Sequence, residues 1–312
     1  MPEYPDITIY IERLKHFLSG EILQQVRIFN PFLLRTVEPS IETIVNKQIV
    51  GFQRLGKRII FVFPDEHYLL FHLMISGRFL WRQPGAKISA KISLAAFDFS
   101  KGSLWLTEVS SKKRASLHLV KGNERLAYFD SGGLEIFDIS LQQFRDRLTF
   151  GNHTLKRTLT DPSLFSGIGN AYSDEILFQA KLSPIQLSQK MTAEQIKELF
   201  LATRQVLKRW TDILRRETAD GFPEKVTAFR EEMAVHGKFG KPCPVCTAPI
   251  QRIRYADNET NYCPVCQTGG KLLADRSLSR LLKNDWPRSF EEWEEKKAAI
   301  VAVANECSPK QK

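Results

Sequence analysis

Hydrophobic positions change their spacing twice along this 312-residue chain. Between residues 6 and 19, Ile7, Tyr10, Ile11, Leu14, Phe17 and Leu18 recur at helical spacing and stop at Gly20, which predicts an amphipathic helix almost at the N-terminus. From about 22 to 138 the apolar residues crowd into short runs: ILQQVRIF, QIVGFQRL, RIIFVF, YLLFHLMI, ISLAAFDF, SLWLTEV, RASLHLV and LEIFDI, with turn residues between them. Eight such runs predict a β-sandwich or flattened barrel. After Phe137 helical periodicity returns in LQQFRDRL, HTLKRTL, AYSDEILFQAK and a long stretch from Thr192 to about Thr218. The pattern reads as an α+β chain: a β-sandwich with a leading helix over 1–138, a helical unit over 139–235, a hairpin over 236–268, and a charged, helix-prone tail over 269–312 that carries Trp286 and Trp293.

Charge narrows the choice of partner. Lys and Arg outnumber Asp and Glu by 45 to 35, a net +10. The excess is shared, 20 against 15 in residues 1–150 and 25 against 20 in residues 151–312. Two basic halves suit a polyanion, because phosphates attract Lys and Arg and release counterions when neutralised; an inert basic surface is the alternative. No run reaches the length that a membrane span needs, and Met-Pro-Glu is not a signal-peptide layout, so a cytoplasmic protein with no membrane partner is expected.

Four of the five cysteines form Cys243-Pro-Val-Cys246 and Cys263-Pro-Val-Cys266, sixteen residues apart, while Cys307 stands alone. Two CxxC knuckles at this spacing predict one tetrahedral Zn2+ rather than disulfides. Four thiolates fill the metal's coordination and leave no place for an activated water, so the zinc is structural. A deaminase-type zinc site shares the PCxxC half of this pattern, but it needs an HxE partner that does not precede it here.

At the other end, removal of Met1 would leave Pro2 as a secondary amine. An α-amino group ordinarily titrates near pH ~8, which keeps a useful fraction unprotonated at neutral pH. Such an amine is a nucleophile, and its condensation product with a sugar aldehyde carbon is an iminium that is already cationic. Glu3 beside it can shuttle protons. By itself Met-Pro-Glu is also simply how a chain starts.

Several motifs agree in order and spacing: Pro2-Glu3 with Pro5-Asp6, Leu55-Gly56-Lys57, SGIGNAYSDE from Ser166 to Glu175, and VHGKFGKPC from Val235 to Cys243. Together they resemble the Fpg/Nei family of DNA glycosylase/AP lyases over nearly all of residues 1–268. The resemblance implies a helix-two-turn-helix DNA-binding domain over 139–235 and a zinc-finger hairpin over 236–268. It implies double-stranded DNA with a damaged base or abasic site as partner, bound by a monomer at the nucleoid. It also implies base excision by a Schiff base from Pro2, with Glu3 as acid/base and Lys57 assisting β-elimination. Asn170 and Lys156 would grip the DNA backbone, and Ile75 with Met74 beside it would fill the gap left by the extruded nucleotide. Read without the resemblance, Gly167-Ile-Gly-Asn170 is a glycine-rich entry to a helix whose first amides suit a phosphate, or an ordinary start with a capping Asn.

Three segments depart from the family pattern. The second DNA-inserting loop reads SSKKRAS, with Lys112, Lys113 and Arg114 but no aromatic, so Arg114 would stack on or hydrogen-bond to the opposite base, or all three would hold phosphate. Counting back from Cys263 puts Asn258 where the family has a phosphate-contacting Arg; Arg252 and Arg254 lie close by, and the expected product is mainly that of β-elimination. The run from Glu217 to Met233 lacks the Gly-Thr-rich loop that caps 8-oxoguanine, which points to oxidised pyrimidines, ring-opened purines or abasic sites. These substitutions also leave open a DNA-binding protein of the same scaffold with little or no catalysis.

Overall fold

The computed structural model describes residues 1–87, 89–255, 258–274, 287 and 289–296; Trp286, Cys307 and most of the tail lie outside them. The chain forms two compact units, one from residues 1–147, 160–169 and 204–228, the other from 148–159, 170–203 and 229–312.

The first unit begins with helix α1 (Tyr4–Leu18), which starts two residues earlier than its apolar spacing predicts because Pro5 stands in its first turn and Glu3 N–H donates to Asp6 Oδ2 at 2.9 Å. Its apolar stripe, Ile7, Tyr10, Ile11, Leu14 and Leu18, is buried in the main core. Two four-stranded antiparallel sheets follow. One has the order β1 (Gln25–Ile28), β6 (Ser93–Phe99), β7 (Gly102–Glu108), β5 (Gly77–Arg82); the other runs β2 (Gly51–Leu55), β3 (Arg58–Phe63), β4 (His67–His72), β8 (Ser116–Lys121). Phe71 of β4 meets Phe79 of β5 and Phe97 of β6, each at 5.1 Å between ring centroids, so the two inner faces form one sandwich core.

The count of eight strands is reached by a different set of segments than the apolar runs suggest. GRFLWR forms β5, whereas LEIFDI is no strand. Leu134 pairs by a single bridge with Phe165, and a turn follows at once. LEIFDI is apolar like a strand, but its buried Ile136 and Ile139 stand three residues apart instead of alternating, and its backbone partner is the loop at residues 164–166.

The first unit also holds α2 (Asn123–Ala127) and all but the last residue of α3 (Leu141–Leu148), and residues 220–226 are tied to it. Phe222 packs on Tyr10 and Phe17 at 6.0 and 5.7 Å, Val226 joins the core, Arg13 and Arg78 donate to the carbonyls of Asp220 and Val226, and Arg82 pairs with Glu224.

The second unit carries α4 (Leu155–Thr160) up to its last residue, α5 (Asn170–Gln179), the first part of α6 (Ala193–Thr218), and a hairpin of β9 (Gln251–Tyr255) and β10 (Asn258–Tyr262) capped by α7 (Pro264–Thr268). In the tail, residues 290–296 are helical and Ser289 bridges Lys271, so this part packs beside the hairpin. No helix among the described residues is long and apolar enough to cross a membrane.

Candidate active site and zinc hairpin

Pro2 and Glu3 are both buried. At this end of the chain Tyr4 N–H donates to the Gly167 carbonyl at 2.9 Å, and Gly169 N–H donates to Glu3 Oε2 at 2.6 Å. Gly167, with φ of +80°, lets the SGIG loop turn close against Tyr4. Lys57 occupies the two-residue turn between Leu55 of β2 and Arg58 of β3, where Gly56 supplies the positive φ. A β-carbon added at Gly169 would stand 2.5 Å from the Glu3 carboxyl carbon and 2.6 Å from Lys57 Nζ. A carboxylate from the N-terminus and an ammonium from a distant hairpin therefore converge on one glycine.

Beside them is a cavity of about 500 Å³ lined by Met1, Lys57, His72 and Gly167 among others. Burial lowers the chain's amino group, carried here by Met1, below its ordinary 8.0, against the raising influence of Glu3. His72 accepts a hydrogen bond at Nδ1 from Met74 N–H at 3.1 Å, which leaves the ring proton on Nε2. Burial, and then Arg58 and Lys57, push its pKa down to about 4, so the ring is neutral at working pH. Arg54 stacks over Tyr4 at 4.5 Å, donates to the Gly56 carbonyl and to Ser166 Oγ, and pairs with Glu135, joining the Lys57 turn to the SGIG loop. Neither His72, Arg54 nor Glu135 announces itself in the sequence; each stands in an otherwise ordinary strand, strand end or turn.

The two other loops of interest lie on this unit. Met74, at φ of +51°, is half-buried and Ile75 is exposed, both in the turn between β4 and β5, so neither belongs to the strand core. In the β7–β8 connection Lys112 and Arg114 are exposed, whereas Lys113 folds back to donate to the Glu108 carbonyl.

In the second unit α5 organises the hairpin through two buried carboxylates. Asp174 accepts from Lys156 Nζ at 2.5 Å, His236 Nδ1 at 2.8 Å and Asn261 N–H at 3.1 Å. Glu175 accepts three consecutive backbone amides, Ala234, Val235 and His236, at 2.9–3.0 Å. Lys156 and Asn170 are thus brought together, since Lys156 Nζ also donates to the Asn170 carbonyl at 2.6 Å, while Asn170 Nδ2 reaches the Glu259 carbonyl at 2.8 Å. Asn258 is exposed at the head of β10. Arg252 lies over the Phe239 ring at 4.1 Å and pairs with Glu259, which Arg254 also faces at 3.8 Å, so one carboxylate offsets both cations.

The four thiols of Cys243, Cys246, Cys263 and Cys266 lie within 4.8 Å of one another. A zinc about 2.3 Å from each of four sulfurs needs them roughly 3.8 Å apart; the close pairs stand at 3.9 Å (Cys243–Cys266) and 3.4 Å (Cys246–Cys263). Val245 and Cys266 N–H groups donate to the sulfurs of Cys243 and Cys263, as thiolate ligands require. The donor set fits one structural zinc. Stripping the metal with a chelator is expected to unfold residues 236–268, because metal binding there is folding free energy; loss of DNA affinity with the β-sandwich still folded, seen as two separated thermal transitions, checks this.

Three family models match consecutive stretches: the formamidopyrimidine-DNA glycosylase N-terminal domain at residues 1–128, its H2TH domain at 135–216, and the zinc finger found in FPG and IleRS at 240–269. This is the fold of a DNA glycosylase of the Fpg type. The formamidopyrimidine-DNA glycosylase of Mycoplasmopsis pulmonis is 28% identical over 277 residues, covering 86% of this chain and 98% of that protein. A formamidopyrimidine-DNA glycosylase-like protein of Mycobacterium tuberculosis is 40% identical over 151 residues, 48% of this chain and 94% of that one. Among solved structures, a complex between the Lactococcus lactis Fpg and abasic-site DNA superposes with a TM-score of 0.77 at 26% identity, covering 85% and 99% of the two chains. The chain belongs to the formamidopyrimidine-DNA glycosylase family.

Proposed function

We propose that this protein is a bifunctional DNA glycosylase/AP lyase of base excision repair, working from Pro2 once Met1 is removed. The Pro2 nitrogen attacks C1′ of an extruded nucleotide, the N-glycosidic bond breaks, and the base leaves with a proton. The ring-opened sugar is then held as an iminium on Pro2. Loss of a C2′ proton drives β-elimination of the 3′ phosphate, with the iminium accepting the electrons, and water releases the product. Glu3 serves as the acid/base partner and Lys57 assists the elimination. The observation that carries the reading is the convergence of Glu3 and Lys57 on Gly169, beside a cavity at the chain's amino end. The basic charge of both halves and the structural zinc hairpin support damaged duplex DNA as the partner.

Ile75 and Met74 enter the stack in place of the nucleotide, Lys112 and Arg114 meet the opposite strand, and Lys156, Asn170, Arg252 and Arg254 serve phosphate contact from the second unit. With Asn258 in place of a third cation, and Glu259 between the two arginines, the hairpin holds phosphate without transferring a second proton. An abasic duplex is therefore expected to give mainly the β-elimination end on a denaturing gel; a band that is mostly β,δ product overturns this part. The function itself is tested by borohydride, which reduces the iminium to a permanent protein–DNA adduct. Tight binding with no adduct would favour a silent DNA-binding protein.

A further inference from the structure

Glu108, the last residue of β7, is 1% exposed and commits both carboxylate oxygens and its carbonyl to two loops. Its Oε1 accepts from Ser76 Oγ at 2.9 Å, in the turn that carries Met74 and Ile75. Its Oε2 accepts the backbone amides of Arg114 and Ala115 at 2.8 and 3.0 Å, in the connection that carries Lys112 and Arg114. Its own carbonyl receives the Lys113 ammonium. Across the sheet it is paired with Gly77, whose missing side chain lets the first turn close onto the Leu73 carbonyl.

We propose that Glu108 is a positioning residue that locks the two DNA-inserting loops into one rigid unit, a role that rests on the repair reading given above. A buried carboxylate tolerates burial only with its oxygens satisfied. Any shift of one loop away from it leaves an oxygen bare, so the turn at 73–76 and the connection at 110–115 move together or not at all. The residues that fill the extruded nucleotide's place and those that meet the opposite strand then enter the duplex in a fixed relation. Glu108 acts only through these loops and contributes nothing to the reaction at the sugar.

Two substrates separate this role from general damage to the fold. Excising a damaged base from duplex DNA needs the gap in the stack to be filled, whereas cleaving an abasic site in a single strand does not. In Glu108→Ala, duplex excision is expected to fall on the order of a hundredfold, the loss seen when a positioned group moves by about an ångström, while single-strand abasic cleavage changes less than about threefold. The amide of Glu108→Gln can still accept from Arg114 and Ala115 N–H and donate to Ser76 Oγ, so it should restore duplex excision. Should Glu108→Ala fail to fold, Ser76→Ala, at a half-buried turn position, is expected to lower the duplex rate selectively. Equal losses on both substrates, or no loss on either, overturn the proposal. Wild-type protein silent on both overturns the repair reading, and this inference with it.

Discussion

Borohydride added to the processed protein and an abasic duplex is expected to cross-link the wild type, and to leave Pro2→Gly with at least about a hundredfold less adduct. Glycine still offers an amine, so the loss measures what proline adds. A secondary amine gives an iminium with no N–H to lose, cationic at every pH, whereas the imine of a primary amine must pick up a proton before it can draw electrons. The ring also removes a rotation that glycine would have to give up. Burial lowers the amino group that Met1 carries, and Pro2 beside it is buried as well; burial disfavours the charged form of any amine and so enlarges its unprotonated fraction. The rate of adduct formation should therefore rise with pH and then level off as the freed Pro2 amine loses its proton. A rate that falls as pH rises, or mass spectrometry of active enzyme with Met1 intact, removes the nucleophile from the mechanism.

Gly169→Ala is expected to lower kcat by on the order of 10² while leaving DNA affinity within about threefold. One methyl group there would stand 2.5 Å from the Glu3 carboxyl carbon and 2.6 Å from Lys57 Nζ, closer than carbon and nitrogen atoms approach without a bond. Something must shift, and the two side chains it displaces are the acid/base and the elimination partner. Gly169 has an ordinary negative φ, so alanine brings no backbone strain of its own, and the effect isolates the contact. A variant with wild-type kcat would show that the position of Glu3 and Lys57 is immaterial.

The fold was legible wherever apolar spacing decides burial: the stripe of α1, the strands around Phe61 and Phe97, and the helical segments beyond 140. It failed where tertiary partners set the pattern. GRFLWR hides as a strand because Arg78 and Arg82, which interrupt its apolar run, are spent on holding residues 224–226. LEIFDI imitates one in composition, but among the described residues its backbone pairs with a loop through Leu134 alone. The four cysteines could be read from their spacing, whereas Pro2, Glu3 and Lys57 stand out only through their resemblance to the family's motifs. Glu108, Asp174 and Glu175 could not be read at all, since a buried carboxylate is defined by the amides it meets, and those come from segments up to 87 residues away in the chain.

The pinned stretch at 220–226 bears on how this protein can choose among lesions. A flap that closes on a base must trade one set of neighbours for another, and here the trade would expose Val226, at roughly 1.5–3 kcal/mol for a fully buried side chain of that kind, together with the half-buried Phe222 ring. The stretch is therefore expected to stay down. Discrimination would then fall to the walls that do not move and to how readily each damaged pair comes apart, and the backbone amides of Phe222, Glu224, Lys225 and Val226 should exchange with deuterium at the same rate whether or not DNA is bound.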